Sequence, residues 1–237
     1  MTGLPENIRT VLFDLDGVLT PTATLHAAAW KQTFDDVLRE HGDSRPFDQV
    51  TDYDDYVDGK PRDDGARDFL ASRDIHLDDD AINALTERKD RIFIEKVEHD
   101  GIKPYPGSLR YLHAVRDAGL RTAVVSSSRN CLEIIRSAGI EDLLDERVDG
   151  VVAAEASLKG KPHPDTFLAA AHRLRTEPAY AAVFEDATAG VQAGAAGDFG
   201  YVVGVDRIDA DGEHDHENDL RKHGATVVVR DLSELLS

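Results

Sequence analysis

A single cysteine, Cys131, stands in the 237 residues, so the chain can close no internal disulfide and build no cysteine-based zinc cluster. Such a lone cysteine is expected as a small buried apolar side chain. Basic residues are also scarce: 27 Lys and Arg against 46 Asp and Glu leave a formal charge of -19. That balance argues against binding along nucleic-acid backbones, which needs Lys and Arg to displace counterions. An anionic ligand has to be met by a local cationic site or a bound metal. Long apolar runs are missing too, as is the pattern of a signal peptide, so no membrane partner and a cytoplasmic location are expected; a monomer is expected separately. With 41% hydrophobic and 31% charged residues, the chain reads as globular, with room for one large domain or a domain carrying an insertion.

The segment "VLFDLDGVLT", Val11 to Thr20, sets two carboxylates, Asp14 and Asp16, inside an apolar stretch. Ile8 to Phe13 is β-branched and apolar enough for a buried strand, with Asp14 to Gly17 as its exit loop. Trp30, Phe34, Val37, Leu38 and His41 then recur at helical spacing, with Thr20, Thr22 and Thr24 ahead of them as capping candidates. From there to about Gly101 the pattern predicts helices and acidic turns without a strand. A helix over Asp79 to Glu98 carries Ile82, Leu85, Lys89, Ile92 and Phe93 on one face, and its acidic start at Asp78 to Asp80 suits the helix dipole. Lys89 on that stripe either snorkels to water or points into a cleft.

After "KPYPGS" helices and strands alternate. Strands are expected at Arg121 to Val125, Val148 to Val152, Ala181 to Phe184, Tyr201 to Val205 and Thr226 to Val229, with helices such as Leu109 to Ala118 and Phe167 to Leu174 between them. The pattern predicts an α/β fold: a Rossmann-like parallel sheet flanked by helices, built from residues 1–20 and 102–237. Residues 21–101 form an inserted α-helical cap domain over the carboxyl ends of the strands, where open α/β sheets bind ligands. No internal repeat or low-complexity tract interrupts this layout. His214 and His216, in "GEHDHEND", are expected in a solvated loop, and the glycines of "AGVQAGAAG" at a tight helix start.

Several apolar runs end in polar residues of one kind. "VLF" runs into Asp14 and Asp16, "AVV" into Ser126, Ser127 and Ser128, and "AVF" into Glu185 and Asp186. A parallel sheet brings all these ends to one edge. The carboxylates gathered there repel one another unless a cation or protons compensate, and an all-oxygen set suits Mg²⁺ when a phosphate shares the site. Lys161, between stiffening prolines in "KGKPHPD", is the nearest cation expected in the core. Phosphoryl transfer needs a nucleophile, a proton carrier, a metal and donors for the equatorial oxygens, and this edge can supply each.

"DLDGVLT", "VVSSS", "KGKPHPDTF" and "FEDATAGVQAG" resemble, in order and spacing, the motifs of the haloacid dehalogenase superfamily, and of its β-phosphoglucomutase-like branch in particular. The resemblance spans nearly the whole chain. It implies Asp14 as the nucleophile that forms an aspartyl phosphate, Asp16 as general acid and base, and Ser126 and Lys161 as the groups holding the transferring phosphoryl. It implies Mg²⁺ on the Asp14 carboxylate, the Asp16 backbone carbonyl and Asp186, with Glu185 completing the acidic set. In the cap, "TLHAAAWK" offers His26 and Trp30, "ERKD" a Lys89 that pairs with His26, and "VDGKPR" an Arg62 that clamps the substrate's distal phosphate. The core adds Ser127, Ser128, Arg129 and Asn130 to these substrate-binding candidates.

Two departures from that family pattern stand out: Pro21 replaces an aspartate where the chain leaves the core, and Asp58 stands where some mutases carry a lysine. The expected reaction is conversion of β-D-glucose 1-phosphate to glucose 6-phosphate through glucose 1,6-bisphosphate. The alternative on the same residues is a Mg²⁺-dependent sugar-phosphate phosphatase. A phosphorylated signalling receiver also combines acids, Ser and Lys at a sheet edge, but it carries no helical insertion after its first strand.

Overall fold

The computed structural model describes residues 1–207 and 216–236. Its elements run β1 (Thr10–Phe13), α1 (Thr22–Glu40), a π-helical turn (Tyr53–Val57), α2 (Arg62–Ser72), α3 (Asp79–Asp100), α4 (Pro106–Asp117) and β2 (Arg121–Val125). They continue with α5 (Cys131–Ser137), β3 (Glu146–Val148), α6 (Gly150–Glu155), α7 (Asp165–Arg173), β4 (Ala181–Glu185), α8 (Thr188–Ala196), β5 (Tyr201–Val205), α9 (His216–Lys222) and β6 (Val227–Val229).

All six strands are parallel, in the order β3-β2-β1-β4-β5-β6. The first strand lies at the centre because its residues are apolar on both sides, as a strand covered by helices on both faces must be. Val11 and Phe13 join Tyr111, Val115, Ile134 and Phe184 on one face. Leu12 joins Val125, Phe167, Ala171 and Val183 on the other. The strand order reverses between β1 and β4, and at such a reversal the flanking connections diverge and leave a crevice. Asp14 follows β1 and Glu185 ends β4, so both stand at that crevice.

Between β1 and β2 the described residues form helices only, as expected. Trp30, Phe34, Leu38, Phe47, Phe69 and Ile82 give this segment a core of its own, separate from the two sheet faces. Asp78 accepts a hydrogen bond from Ala81 N at 2.9 Å and starts α3, which ends at Gly101 with φ +67°. Lys89 is buried, which decides between its two readings in favour of the cleft.

Three local expectations are corrected. Val148 to Val152 is not one strand: β3 stops at Val148, and the buried Asp149 side chain accepts from Val151 N and Val152 N and starts α6 instead. A short apolar run has no periodicity to separate strand from helix, and the cap decided it. Thr20, Thr22 and Thr24 do not cap α1: Pro21 holds the cap position, Thr22 and Thr24 lie inside the helix, and the Thr22 hydroxyl donates to Asp16. His216 is not in a solvated loop; it is buried, with Nε2 2.8 Å from the Asp186 carbonyl oxygen. His214 lies outside the described residues.

Arg207, just beyond β5, ties the turn after Asp16 to the core. Its Nε donates to Gly17 O at 2.9 Å, its Nη2 to Ser108 Oγ at 2.8 Å, and its Nη1 to Asp231 at 3.1 Å, while the guanidinium lies 3.9 Å from the Tyr105 ring centroid. Arg207→Ala leaves these acceptors and the ring uncovered, and is expected to cost about 2 kcal/mol in urea unfolding at unchanged m-value. A loss below about 0.5 kcal/mol, the range of ordinary surface changes, would contradict this role.

Candidate active site

The acidic groups at the crevice are delivered by the ends of β1 and β4. Asp14 is fixed by its own amide, which donates to Phe184 O at 2.9 Å across the β1–β4 seam. Lys161 reaches in from the loop before α7, past a cis Lys161–Pro162 bond, and its Nζ donates to Asp14 Oδ1 at 2.5 Å and to Val125 O at 3.1 Å. The same ammonium pairs with Glu185, whose other oxygen accepts from Ala187 N at 3.1 Å. Burial works against the Lys161 charge, but Asp14 and Glu185 overcome it and push its pKa up.

One ammonium does not balance this many acids. Oxygens of Asp14, Glu185 and Asp186 all lie within 4.8 Å of one another. Burial drives the Asp14 carboxyl well above the usual range; Lys161 opposes this while Glu185 and Asp16 add to it. Burial does the same to Asp186, helped by Asp58, Asp14, Glu185 and Asp16. A buried all-carboxylate cluster with uncompensated charge fits a hard divalent cation, as Mg²⁺ would be. Gly17 lets the Asp186 carboxylate approach the turn: at φ +81°, a Cβ there would lie 1.6 Å from Asp186 Oδ2.

The Asp16 side chain turns away from that cluster. Its Oδ1 accepts from Thr22 and lies 3.3 Å from His26 Nε2, and its Oδ2 accepts from Ser126 Oγ at 3.3 Å. Lys89 Nζ lies 2.7 Å from His26 Nδ1, which makes Nδ1 the acceptor and leaves Nε2–H directed at Asp16. Burial raises the Asp16 pKa, but His26, Thr22 and Lys89 together hold it at about 2. Burial and then Lys89 push the His26 pKa down, so the ring is neutral at pH 7 and acts as a donor without a charge. Burial lowers Lys89 to about 8 against the pull of Asp90 and Asp16, so it still carries its proton at pH 7. Its ammonium is 5.2 Å from the Trp30 and Phe93 ring centroids. The result is a continuous chain, Lys89–His26–Asp16, running from helices α3 and α1 to the core.

These groups bound one cavity of about 60 Å³, lined among others by Asp14, Asp16, His26, Trp30, Arg62 and Lys89. Ser127, Ser128, Arg129 and Asp186 complete its core side. A space of that size holds on the order of two waters; it adjoins a second cavity of about 720 Å³ that shares Arg62, Ser127 and Arg129 with it and is also lined by Ser126 and Lys161. Contacts across the gap are close. Ser127 Oγ donates to Gly59 O at 2.6 Å, and a Cβ on Gly160 would lie 2.1 Å from Pro61 Cγ. The replacement of aspartate by Pro21 is compatible with this arrangement: its φ of -78° suits the ring, and a residue ahead of the first helical turn has no intrahelical donor to lose.

The expected residues therefore converge, with differences in what they touch. Arg62 lines the cavity, yet its Nη1 donates to Asp90. The Ser127 hydroxyl is engaged by the cap backbone. Asn130 is not among the residues lining the cavity, and its amide donates to Ser128 Oγ at 3.2 Å. Cys131 is buried beside this loop, as expected, with its thiol pKa pushed up by burial. Thr22, Asp90 and Arg207 were not expected to take part. Thr22 could have been found, since it follows Asp16 by one turn of loop; the other two meet their partners only through the fold.

Comparison with known proteins identifies the family. The haloacid dehalogenase-like hydrolase family profile matches residues 8–198. The chain is 47% identical to a β-phosphoglucomutase of Mycobacterium bovis over 99% of this chain and 94% of that one. It is 34% identical to a β-phosphoglucomutase of Bacillus subtilis, over 96% and 92%. A crystal structure of β-phosphoglucomutase from Clostridium difficile, 25% identical, superposes with a TM-score of 0.78 over 96% of this chain and 93% of that one. Among the described residues no helix is long and apolar enough to cross a membrane. The chain belongs to the haloacid dehalogenase-like hydrolase family and is closely related to the β-phosphoglucomutases.

Proposed function

We propose that the protein is a phosphomutase that converts β-D-glucose 1-phosphate to glucose 6-phosphate through glucose 1,6-bisphosphate. The observation that carries this reading is a single cavity bounded both by the Asp14–Asp16 pair and by Arg62, Ser128 and Arg129. A reaction that handles two phosphates on one sugar needs both ends. The kinship with β-phosphoglucomutases supports the choice of sugar.

In this reading residues 1–20 and 102–237 form the core domain and residues 21–101 the cap. Asp14 carries the phosphoryl group as an aspartyl phosphate. A sugar hydroxyl attacks phosphorus, Asp16 takes the hydroxyl proton, and the bond from phosphorus to the Asp14 oxygen breaks. An Asp16 carboxylate held at about 2 is ionised at rest and ready for that step. The bisphosphate then turns over, its other phosphate passes to Asp14, and Asp16 returns the proton to the departing sugar oxygen. Lys161 and Ser126 donate to the phosphoryl oxygens. His26, held by Lys89, orients Asp16, and Trp30 offers its ring to the sugar. The residues that would hold Mg²⁺ are Asp14 and Asp186, the Asp16 backbone carbonyl and, through the shared acidic cluster, Glu185. When bound, Mg²⁺ offsets the charge of the phosphoryl oxygens. The protein works in this scheme as a cytoplasmic monomer on a small phosphorylated sugar.

Incubation with β-glucose 1-phosphate, Mg²⁺ and a trace of glucose 1,6-bisphosphate is expected to yield glucose 6-phosphate well in excess of free phosphate. Free phosphate in excess would instead identify a phosphatase. Arg62→Ala is expected to lower mutase kcat/KM about a hundredfold, the ~3 kcal/mol of a lost charge-assisted bond. Hydrolysis of a small aryl phosphate, which has no distal phosphate, should change little. Equal losses in the two assays would remove Arg62 from the distal site.

A further inference from the structure

Arg62 is only half used by its surroundings. Its Nη1 donates to Asp90 Oδ2, while its buried Nε makes no hydrogen bond; Asp63 Oδ1 stands 3.4 Å from it, outside good geometry. Both Arg62 and Asp90 line the cavity, and both side chains are mostly covered, at 19% and 17% exposure. A guanidinium binds phosphate through two adjacent donors, Nε with Nη2 or Nη1 with Nη2, and Asp90 occupies Nη1 of the second pair.

Asp90 has a second cation within reach. Its other oxygen, Oδ1, lies 3.6 Å from Lys89 Nζ, the ammonium that holds His26 against Asp16. Neighbours in sequence on a helix do not ordinarily face each other; here the Asp90 carboxylate sits between Arg62 of α2 and Lys89 of α3. The contacts form one unbroken sequence of charges and donors: Arg62, Asp90, Lys89, His26, Asp16.

We propose that Asp90 competes with phosphate for the Nη edge of Arg62 and passes its charge to Lys89 when phosphate wins. Asp90 is then a positioning residue that ties occupation of the distal site to the group holding the acid and base. It keeps phosphate binding at Arg62 weak enough to reverse, which a bisphosphate that must turn round in every cycle requires. This inference rests on the reading of Arg62 as the distal-phosphate site.

The test is calorimetric titration of glucose 6-phosphate, and separately of inorganic phosphate, into the Mg²⁺-loaded protein and its Asp90→Asn, Arg62→Ala and doubly substituted variants. Asp90→Asn keeps the shape and loses the charge. It is expected to bind either probe about three- to tenfold tighter than the wild type, and to have no effect in the Arg62→Ala background. Asp90→Glu should return affinity toward the wild-type value. In steady-state assays Asp90→Asn should lower KM and kcat together, because phosphate leaves Arg62 more slowly; a merely structural residue would raise KM or leave it unchanged. Binding by Asp90→Asn that is unchanged or weaker, or a gain that persists without Arg62, overturns the proposal. If glucose 6-phosphate fails to bind the wild type while inorganic phosphate follows the predicted pattern, the sugar assignment falls and the role of Asp90 stands.

Discussion

Asp14→Asn should abolish aspartyl-phosphate formation and lower turnover by on the order of 10⁴-fold or more, while making the metal-free protein more stable. The first effect follows from the nucleophile assignment. Labelling by a small phosphodonor, read as a mass increase on the intact protein, should disappear; retained labelling would sink the assignment.

The second effect follows from burial. The Asp14 carboxyl is held well above its usual pKa, so the native state keeps a proton that the unfolded chain gives up. Stability then falls as pH rises from the ordinary carboxylate value through the native one. Asparagine removes this contribution, so in metal-free buffer at neutral pH the variant should melt higher and show a shallower decline with pH. Asp186 is raised as well and keeps part of the slope in both proteins. Added Mg²⁺ should stabilise the wild type more than the variant, since it binds the folded carboxylate cluster. A variant that melts lower than the wild type in chelator would contradict this account of the site.

Lys161→Met is expected to have the next largest effect, and on two measurements at once. Lys161 is the ammonium that Asp14 and Glu185 share, and all three side chains are nearly inaccessible. Removing one partner of a buried ion pair leaves the other charge uncompensated, at a cost of about 3 kcal/mol or more. Adding Glu185→Gln to Lys161→Met should recover part of that stability, because it removes the stranded carboxylate. Activity should stay low, since the proposed mechanism loses a donor to the phosphoryl oxygens; such losses run to about 10²- to 10³-fold. Urea unfolding of the two variants decides the point. Further destabilisation by the second substitution would show that Glu185 is held by something other than Lys161.

Much of this site could be read from the chain. Asp14, Ser126 and Glu185 each close an apolar run, and alternation with helices implied a parallel sheet, whose strand ends share an edge. His26 and Arg62 were legible only through resemblance and Lys89 only as one of two readings of its stripe, because nothing in a helical stripe says which residue meets which. The Val148 to Val152 run misled for a physical reason: three valines around Asp149 and Gly150 suit either a strand or a helix, and the capping carboxylate chose the helix.

The amino-acid sequence by itself determined the parallel α/β core, the helical insertion and the acidic edge, since these rest on periodicity and on where apolar runs stop. Only the tertiary structure decided that Thr22, not the metal cluster, meets the Asp16 carboxylate, that Asp90 closes Arg62, and that Arg207 grips the turn at Gly17. Those contacts join residues 28 positions apart in one case and 190 in another, and their energy depends on distance and burial in the folded chain.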